Sequence, residues 1–181
     1  LYSCGKIAPN MEMKIDSVDP VNVPGEILIK GANVFLGYFK NEEATKAVFT
    51  KDGWFRTGDM GVVDKDGCLF IKGRSKCMIL GPSGQNIYPE EVETVINSQP
   101  YVVDSLVVED DGGLTGLIYP DFAQGAKDGM NQDTFIKYIE DTLPELNKEL
   151  PNYAKLKKIE VMSEDFERTP KKSIKRYLYQ R

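Results

Sequence analysis

Short apolar runs separated by turn residues dominate the first 72 positions of the chain. The runs MEMKI (11–15) and GEILIKG (25–31) predict strands, because their apolar residues alternate or are continuous and prolines separate them. The sequence GVVDKDGCLFIKG predicts a hairpin of two strands, 61–64 and 68–72, joined by an Asp-Lys-Asp-Gly turn. Asn41 is a suitable N-cap for a short helix, NEEATKAVF. This part of the chain is therefore expected to be mostly β.

Helical periodicity enters after Gly73, so we predict an α+β fold overall, with a boundary near residues 73–76. Pro144 is expected to kink or split the longest helix, and the glutamates of PEEVE complement the positive end of the first one. The predicted elements are a helix at 89–99, strands at 101–109 and 114–119 joined by a DDGG turn, a helix at 132–149, a strand at 158–162 and a terminal helix at 173–180.

Composition excludes several classes of protein and of active site. The 181 residues carry a net charge of −5 and contain no histidine, which excludes Ser-His-Asp and Cys-His catalysis and His-ligated zinc. No apolar run approaches the roughly 20 residues of a membrane span. The three cysteines share no CxxC spacing and suit a reducing compartment, so a cytoplasmic location is expected. Because the chain begins at Leu1 within a strand-like run, we expect it to be a piece of a longer protein.

Charge is unevenly distributed along this acidic chain. Residues 155–181 contain nine basic and four acidic side chains. The overall acidity argues against nucleic-acid binding, whereas a basic tail could meet phosphate, a membrane surface or an acidic partner. Taken alone, the charge pattern favours a solvated helix end.

Two glycine-containing motifs carry candidate ligand-binding residues. In GWFRTGD (53–59), Gly58 lets the backbone turn and present Asp59, whose carboxylate can accept hydrogen bonds from two ribose hydroxyls. In GRSKCMILGPSGQNIYPEEVE (73–93), Arg74 can bind a ribose or a phosphate, and Gly84 suits a positive φ angle or the close passage of a ligand. In isolation, a self-capping turn, a surface ion pair and a plain turn are the commoner interpretations. A P-loop is excluded, because no GKS or GKT is present.

A third motif, RTPKKSIKR (168–176), concentrates lysines after a proline. A lysine that reaches into a closed site would neutralise the negative charge that develops on a carboxylate and a phosphate during acyl transfer to a nucleotide. The alternative is a basic, solvated tail, which composition alone favours.

The order and spacing of the three motifs together resemble the adenylate-forming superfamily of acyl-CoA synthetases, luciferases and adenylation domains. The resemblance covers nearly the whole chain. Within the superfamily, the sequence is most similar to the long-chain fatty acid–CoA ligases. It implies that residues 1–73 are the β-rich end of a large N-terminal AMP-binding domain. Residues 74–181 would then form the small, mobile α+β C-terminal domain.

In that superfamily a carboxylate attacks ATP to give acyl-AMP and pyrophosphate, and a thiol, often that of coenzyme A, then takes the acyl group. The small domain swings between the two half-reactions about a hinge residue. The matching motif positions imply nucleotide binding by Asp59 and Arg74, a hinge at Lys76, and CoA binding by Ser83, Gly84 and Gln85.

The terminal motif departs from the superfamily pattern TP-x-G-K-[IV]-x-R, in which the lysine promotes adenylation. Thr169 and Pro170 match, but Lys172 stands at the glycine and Ser173 at the lysine. Either Lys172 supplies the charge from one residue earlier, or Lys175 does, or adenylation is weakened. We favour Lys172 as the catalytic lysine, because a long side chain can span a one-residue shift.

The resemblance also implies the partners of the intact protein: a fatty acid, ATP/AMP, coenzyme A and Mg²⁺, whose ligands and phosphate loop would lie upstream of this chain. We therefore expect the 181-residue piece to be inactive alone. A fatty acid substrate would allow peripheral membrane contact. Two alternatives stay open: an adenylase that loads a carrier protein, and a non-catalytic interaction module derived from the same family. A nucleic-acid partner is not expected.

Overall fold

The computed structural model describes residues 3–181 and divides the chain into two compact units, Leu1–Cys77 and Met78–Arg181. Each unit has its own sheet, and together they give the mixed α+β fold that the sequence predicts. Among the described residues, no helix has the length and apolar character needed to cross a membrane.

The first unit is a four-stranded antiparallel sheet in the order β1-β2-β3-β4. Its strands are β1 (Met11–Asp16), β2 (Gly25–Gly31), β3 (Phe55–Val63) and β4 (Leu69–Arg74). The predicted hairpin is present as β3 and β4, but β3 begins at Phe55 rather than at Gly61. Phe55 pairs with Ile29 of β2, and this long-range pairing draws the polar, glycine-containing segment FRTGD into the sheet.

A short helix, α1 (Glu42–Val48), follows β2, as the sequence predicts. The Asn41 side chain caps it by accepting a hydrogen bond of 2.9 Å from the Ala44 N–H. This bond satisfies one of the backbone donors that have no partner in the first turn of a helix.

The second unit places helices on one face of a three-stranded sheet. Strands β7 (Val102–Asp110) and β8 (Gly113–Pro120) are antiparallel, and β9 (Leu156–Val161) lies parallel to β8. A two-stranded hairpin, β5 (Ile79–Leu80) and β6 (Asn86–Ile87), precedes them. The helices are α2 (Pro89–Asn97), α3 (Phe122–Lys127), α4 (Gln132–Glu140) and α5 (Leu143–Glu149).

Apolar side chains fill both faces of this second sheet. On the helical face, Ile96 and Phe135 are almost completely buried against sheet residues such as Ile118. On the other face, Phe166 of the C-terminal segment packs against Leu106 and Leu117. The C-terminal segment is thereby held against the sheet by its own apolar residue.

One prediction about the helices is confirmed, and two others fail. As predicted, the helix at 132–149 splits into α4 and α5, because Pro144 lacks an N–H and fits only a first helical turn. The α-helix predicted at 173–180 is wrong: a single 3-10 turn at Arg176–Leu178 replaces it. Helix α3 is missed because Gly125 interrupts its pattern. An added Cβ there would lie 2.8 Å from the Phe135 ring, so glycine allows close packing.

Candidate functional site

Asp59 and Arg74 lie opposite each other on β3 and β4, and their side chains form an ion pair with an Nη1–Oδ1 distance of 2.6 Å. Asp59 is within a strand rather than in the turn that the sequence suggests, although Gly58 does adopt a φ of +74°, a region that favours glycine. The Gly58 N–H donates to Glu26 Oε1 over 3.1 Å. The backbone kink that orients Asp59 is therefore held by a side chain of β2.

The Asp59–Arg74 pair is accessible to a ligand. The side chains are 30% and 57% exposed, and Asp59 Oδ2 makes no hydrogen bond within residues 3–181. A carboxylate with one open oxygen, beside a guanidinium that has further donors, suits a diol such as the ribose of a nucleotide. The same geometry also fits a surface ion pair, which is the commoner interpretation of Arg74 in isolation.

Lys76 lies in a 3-10 turn at Ser75–Cys77, one residue before the end of the first unit, and is exposed. Within the described part of the chain, no group of three or more Cys, Asp or Glu residues is arranged to hold a metal ion.

The loop that carries Ser83, Gly84 and Gln85 is the tight connection between β5 and β6. The Gly81 N–H donates to the Gln85 carbonyl and the Gly84 N–H to the Gly81 carbonyl, both over 2.8 Å. Gly84 has a φ of +79° and an exposed Cα, with open space where a Cβ would be. The loop is therefore a defined turn whose outer surface is free of side chains at Gly84.

An open groove of about 280 Å³ runs beside this loop in the second unit. Its lining includes Ser83 and Gln85 of the loop together with Tyr153 and Lys155. Sequence reasoning missed Tyr153 and Lys155, because they are distant along the chain and reach the loop only through the tertiary fold. They add an aromatic ring and a positive charge to the predicted CoA-binding residues.

Residues 167–175 form a tight hairpin-shaped loop, called the lysine hairpin, with its tip at 169–173. Arg168 and Ile174 form an antiparallel bridge, and the Thr169 N–H donates to the Ser173 carbonyl over 2.8 Å. Lys172 adopts a φ of +64°, a left-handed conformation in which glycine is favoured. The residue that replaces the glycine of the resembled motif thus retains the backbone conformation that glycine usually supplies.

The two candidate lysines have different surroundings. Lys172 is exposed at the tip beside Lys171, and neither ammonium group forms an ion pair among residues 3–181. Lys175 instead pairs with Glu167 over 3.0 Å, and this hydrogen bond raises the pKa of the Lys175 ammonium group. Ser173 brings no charge. Lys172 is therefore exposed to solvent at the tip, whereas Lys175 is bound to Glu167 within the hairpin.

Two arginines, Arg168 within the lysine hairpin and Arg176 directly after it, attach the hairpin to the rest of the second unit. Arg168 contacts Asp104 of β7 over 2.8 Å, and Arg176 contacts Glu93 of α2. Sequence reasoning assigned Glu93 to the positive end of α2, whereas its carboxylate turns inward to Arg176 and the Val107 N–H. No local signal distinguishes Glu93 from its neighbours Glu90 and Glu91, because the partner lies far along the chain.

Comparison with known proteins gives a consistent result. Residues 78–181, more than half of the chain, match the family model "AMP-binding enzyme C-terminal domain". The chain is 36% identical over 146 residues to a 2-methylpropanoate–CoA ligase of Humulus lupulus (74% of the chain, 26% of the relative). It is 31% identical over 192 residues to a long-chain-fatty-acid–CoA ligase of Mycobacterium tuberculosis (95% and 31%).

Solved structures agree with the sequence relatives. An O-succinylbenzoate coenzyme A synthetase of Bacillus subtilis, solved in complex with ATP and magnesium ion, superposes with a TM-score of 0.78 at 31% identity, covering 97% of this chain and 35% of that one. The chain thus spans about a quarter to a third of the length of these three proteins. The match over residues 78–181 shows that the chain belongs to the AMP-binding enzyme C-terminal domain family, within the adenylate-forming superfamily.

Proposed function

We propose that the chain is the C-terminal part of an ATP-dependent acyl-CoA ligase that activates a fatty acid as acyl-AMP and transfers it to coenzyme A. The observation that carries the proposal is the half-buried Asp59 carboxylate, held by Arg74 with one oxygen open, in a chain of an AMP-binding family. A long-chain acid is supported by the long-chain-fatty-acid–CoA ligase that aligns with 95% of the chain. Other relatives are named for 2-methylpropanoate and 2-succinylbenzoate, so the acid is the part most in need of a test.

The proposed nucleotide contacts follow from the geometry of the first unit. Asp59 Oδ2 accepts from the ribose hydroxyls, while Arg74 holds the carboxylate in place through its ion pair and donates to the ribose. Lys76 is the proposed hinge, at the end of this unit. Mg²⁺ would be held by residues outside this chain and would neutralise phosphate charge.

Lys172 is the proposed catalytic lysine. As a carboxylate oxygen of the acid bonds to the α-phosphorus and pyrophosphate leaves, negative charge accumulates on the phosphate oxygens. An exposed ammonium at the hairpin tip is suited to stabilise that charge. Lys175 is less suited, because its ammonium is already bound to Glu167.

The groove beside the Ser83–Gln85 loop is the proposed site for part of coenzyme A. The bare Gly84 surface leaves room for a thin pantetheine chain. Lys155 supplies a positive charge for a phosphate group, and Tyr153 an aromatic surface.

The test of the proposed function is ATP–pyrophosphate exchange by the full-length protein with acids from acetate to palmitate. We expect exchange that depends on long-chain acids and a product that requires CoA. Exchange with short or aromatic acids alone would refute the fatty acid assignment, and dependence on a carrier protein would favour the loading adenylase. Silence with every acid would favour the non-catalytic module, for which Ser173 is the specific supporting observation.

Substitution of the lysines tests the assignment within the hairpin. We expect Lys172→Ala to slow acyl-AMP formation by about 10²- to 10³-fold, in the range for loss of one charge-stabilising group. Transfer from supplied acyl-AMP to CoA should be retained. Lys171→Ala is the matched control, since it removes the neighbouring tip lysine, and should leave both half-reactions unchanged. If Lys175→Ala, rather than Lys172→Ala, abolishes acyl-AMP formation, the catalytic role belongs to Lys175.

A further inference from the structure

Glu93 is the one carboxylate in the second unit's interior, among the described residues, that joins three separate elements. It lies on α2 and is 8% exposed. Its Oε1 accepts a hydrogen bond of 2.7 Å from the Val107 N–H of β7, and its Oε2 accepts from Arg176 Nη2. Arg176 also lies 3.8 Å from Glu90 on the same helix. One side chain therefore connects a helix, a strand and the chain that leaves the lysine hairpin.

A buried ion pair of this kind fixes geometry more than it adds net stability. Burial raises the pKa of the Glu93 carboxyl, and the Arg176 charge opposes part of that rise. Removing Arg176 leaves the buried Glu93 carboxylate without its charge partner, whereas the intact pair gains little over a well-packed apolar pair. The residues are thus better suited to holding a structure in one arrangement than to stabilising the unit as a whole.

The arrangement that the pair holds is that of the lysine hairpin. Arg176 directly follows Lys175, whose N–H donates to the Glu167 carbonyl over 2.8 Å. Because this bond closes the base of the hairpin, a shift of Arg176 would also shift the hairpin. The incoming end of the hairpin is attached separately by Arg168 to Asp104. Both ends of the hairpin are therefore bound to other elements of the second unit.

We propose that Glu93 and Arg176 are positioning residues for adenylation: they hold the outgoing strand of the lysine hairpin so that Lys172 is presented to the reacting acid and phosphate. This inference rests on the proposed function. The Glu93–Arg176 contact is remote from the reacting atoms. A distant change that displaces a catalytic group by about 1 Å can lower the rate by about 10²-fold.

The test uses Glu93→Gln in the full-length protein. The glutamine keeps an acceptor for the Val107 N–H but presents no charge to Arg176. We expect acyl-AMP formation to fall by about 10- to 10²-fold, with CoA transfer from supplied acyl-AMP retained. Hydrogen exchange at the Thr169, Lys172 and Lys175 amides, each now hydrogen-bonded, should accelerate, while exchange in β7 and β8 should not.

Two further variants separate positioning from general damage. Arg176→Lys keeps the charge and should recover part of the adenylation that Arg176→Gln loses. Arg181→Gln is the matched control, since Arg181 also binds two carboxylates, Asp110 and Glu160, but lies outside the hairpin. Arg181→Gln should change neither the hydrogen exchange rates of the hairpin amides nor the ratio of the rates of the two half-reactions.

The outcomes distinguish this inference from the proposed function. Unchanged exchange at the hairpin amides in Glu93→Gln and Arg176→Gln overturns the inference whether or not the protein is active. Faster exchange with undiminished adenylation, or an equal loss of both half-reactions, also overturns it. If the wild-type protein activates no acid, the proposed function and the role in adenylation both fail, although exchange still reports whether the pair holds the hairpin.

Discussion

The two units of the chain bury apolar side chains to very different extents. Among residues 3–77 of the first unit, the buried apolar residues are Ile15, Ile27 and Leu28, all from β1 and β2. In the second unit, buried residues from every strand of the main sheet and from α2, α4 and α5 form a continuous core. The first unit also exposes large apolar side chains: Leu36 is 100% exposed and Phe39 is 89% exposed.

This difference bears on the proposed division of the protein. A layer of helices over a sheet buries enough apolar surface for an independent domain, whereas a single sheet with one open face does not. The second unit is a sheet covered by helices, whereas the first unit is a single sheet with one open face. We therefore propose that the first unit belongs to a larger domain and that the second unit is a domain in its own right.

Removal of the central ring of the second core should have the largest effect on stability. Phe135 is 1% exposed and contacts the rings of Tyr101 and Phe122. We expect Phe135→Ala to lower the free energy of unfolding of the second unit by about 3–5 kcal/mol, because it leaves a cavity that the core cannot fill. The measurement is urea denaturation, with hydrogen exchange to assign the transition to residues 78–181.

The matched control is Phe39→Ala in the first unit, which removes the same group from an exposed position. It should change the free energy of unfolding by no more than about 0.5 kcal/mol. Equal losses for the two variants would contradict the comparison of the two units.

Most of the secondary structure could be predicted from local patterns, and the failures have a common physical origin. Strands β1 and β2, the Asn41 cap and the helix beginning at Pro89 follow from residues within a few positions of each element. The early start of β3 depends on pairing with Ile29, and the 3-10 turn that replaces the terminal helix begins at Arg176, which binds Glu93 of α2. Such long-range pairings override local preference and leave no local signal.

The candidate site shows the same division. Asp59, Arg74 and Lys172 were found because they stand within motifs, and their roles stay predictions. Glu93, Tyr153 and Lys155 were missed as site residues because only the tertiary fold gives them their neighbours. In Lys172 the structure adds what the sequence lacked: a glycine-like backbone at the position where the motif has glycine.

A smaller effect is expected from the ion cluster that attaches the C-terminus of the second unit. Hydrogen bonds from Arg181 and Lys158 lower the pKa of Glu160 from 4.5 to about 2. Because the folded-state pKa is lowered, the stabilisation is fully present above about pH 4.5 and is lost as the pH falls towards 2. Since the side chains are partly exposed, it should amount to no more than about 1 kcal/mol.

The measurement for this cluster is the free energy of unfolding of wild type and Glu160→Gln between pH 2 and 7. The two curves should differ above pH 4.5 and converge near pH 2. A constant difference across this range would show that Glu160 acts through packing rather than through its charge.

The smallest effect on the 181-residue chain should come from Leu36→Ser. Because Leu36 is fully exposed, its replacement should change the free energy of unfolding by less than about 0.5 kcal/mol. In the full-length protein, a larger domain that covers this side chain would raise the cost of the same substitution to about 1.5–3 kcal/mol. The difference between the two measurements therefore tests the proposed division directly. Equal, small effects would show that Leu36 stays in solvent, and the open apolar surface of the first unit would no longer support its assignment to a larger domain.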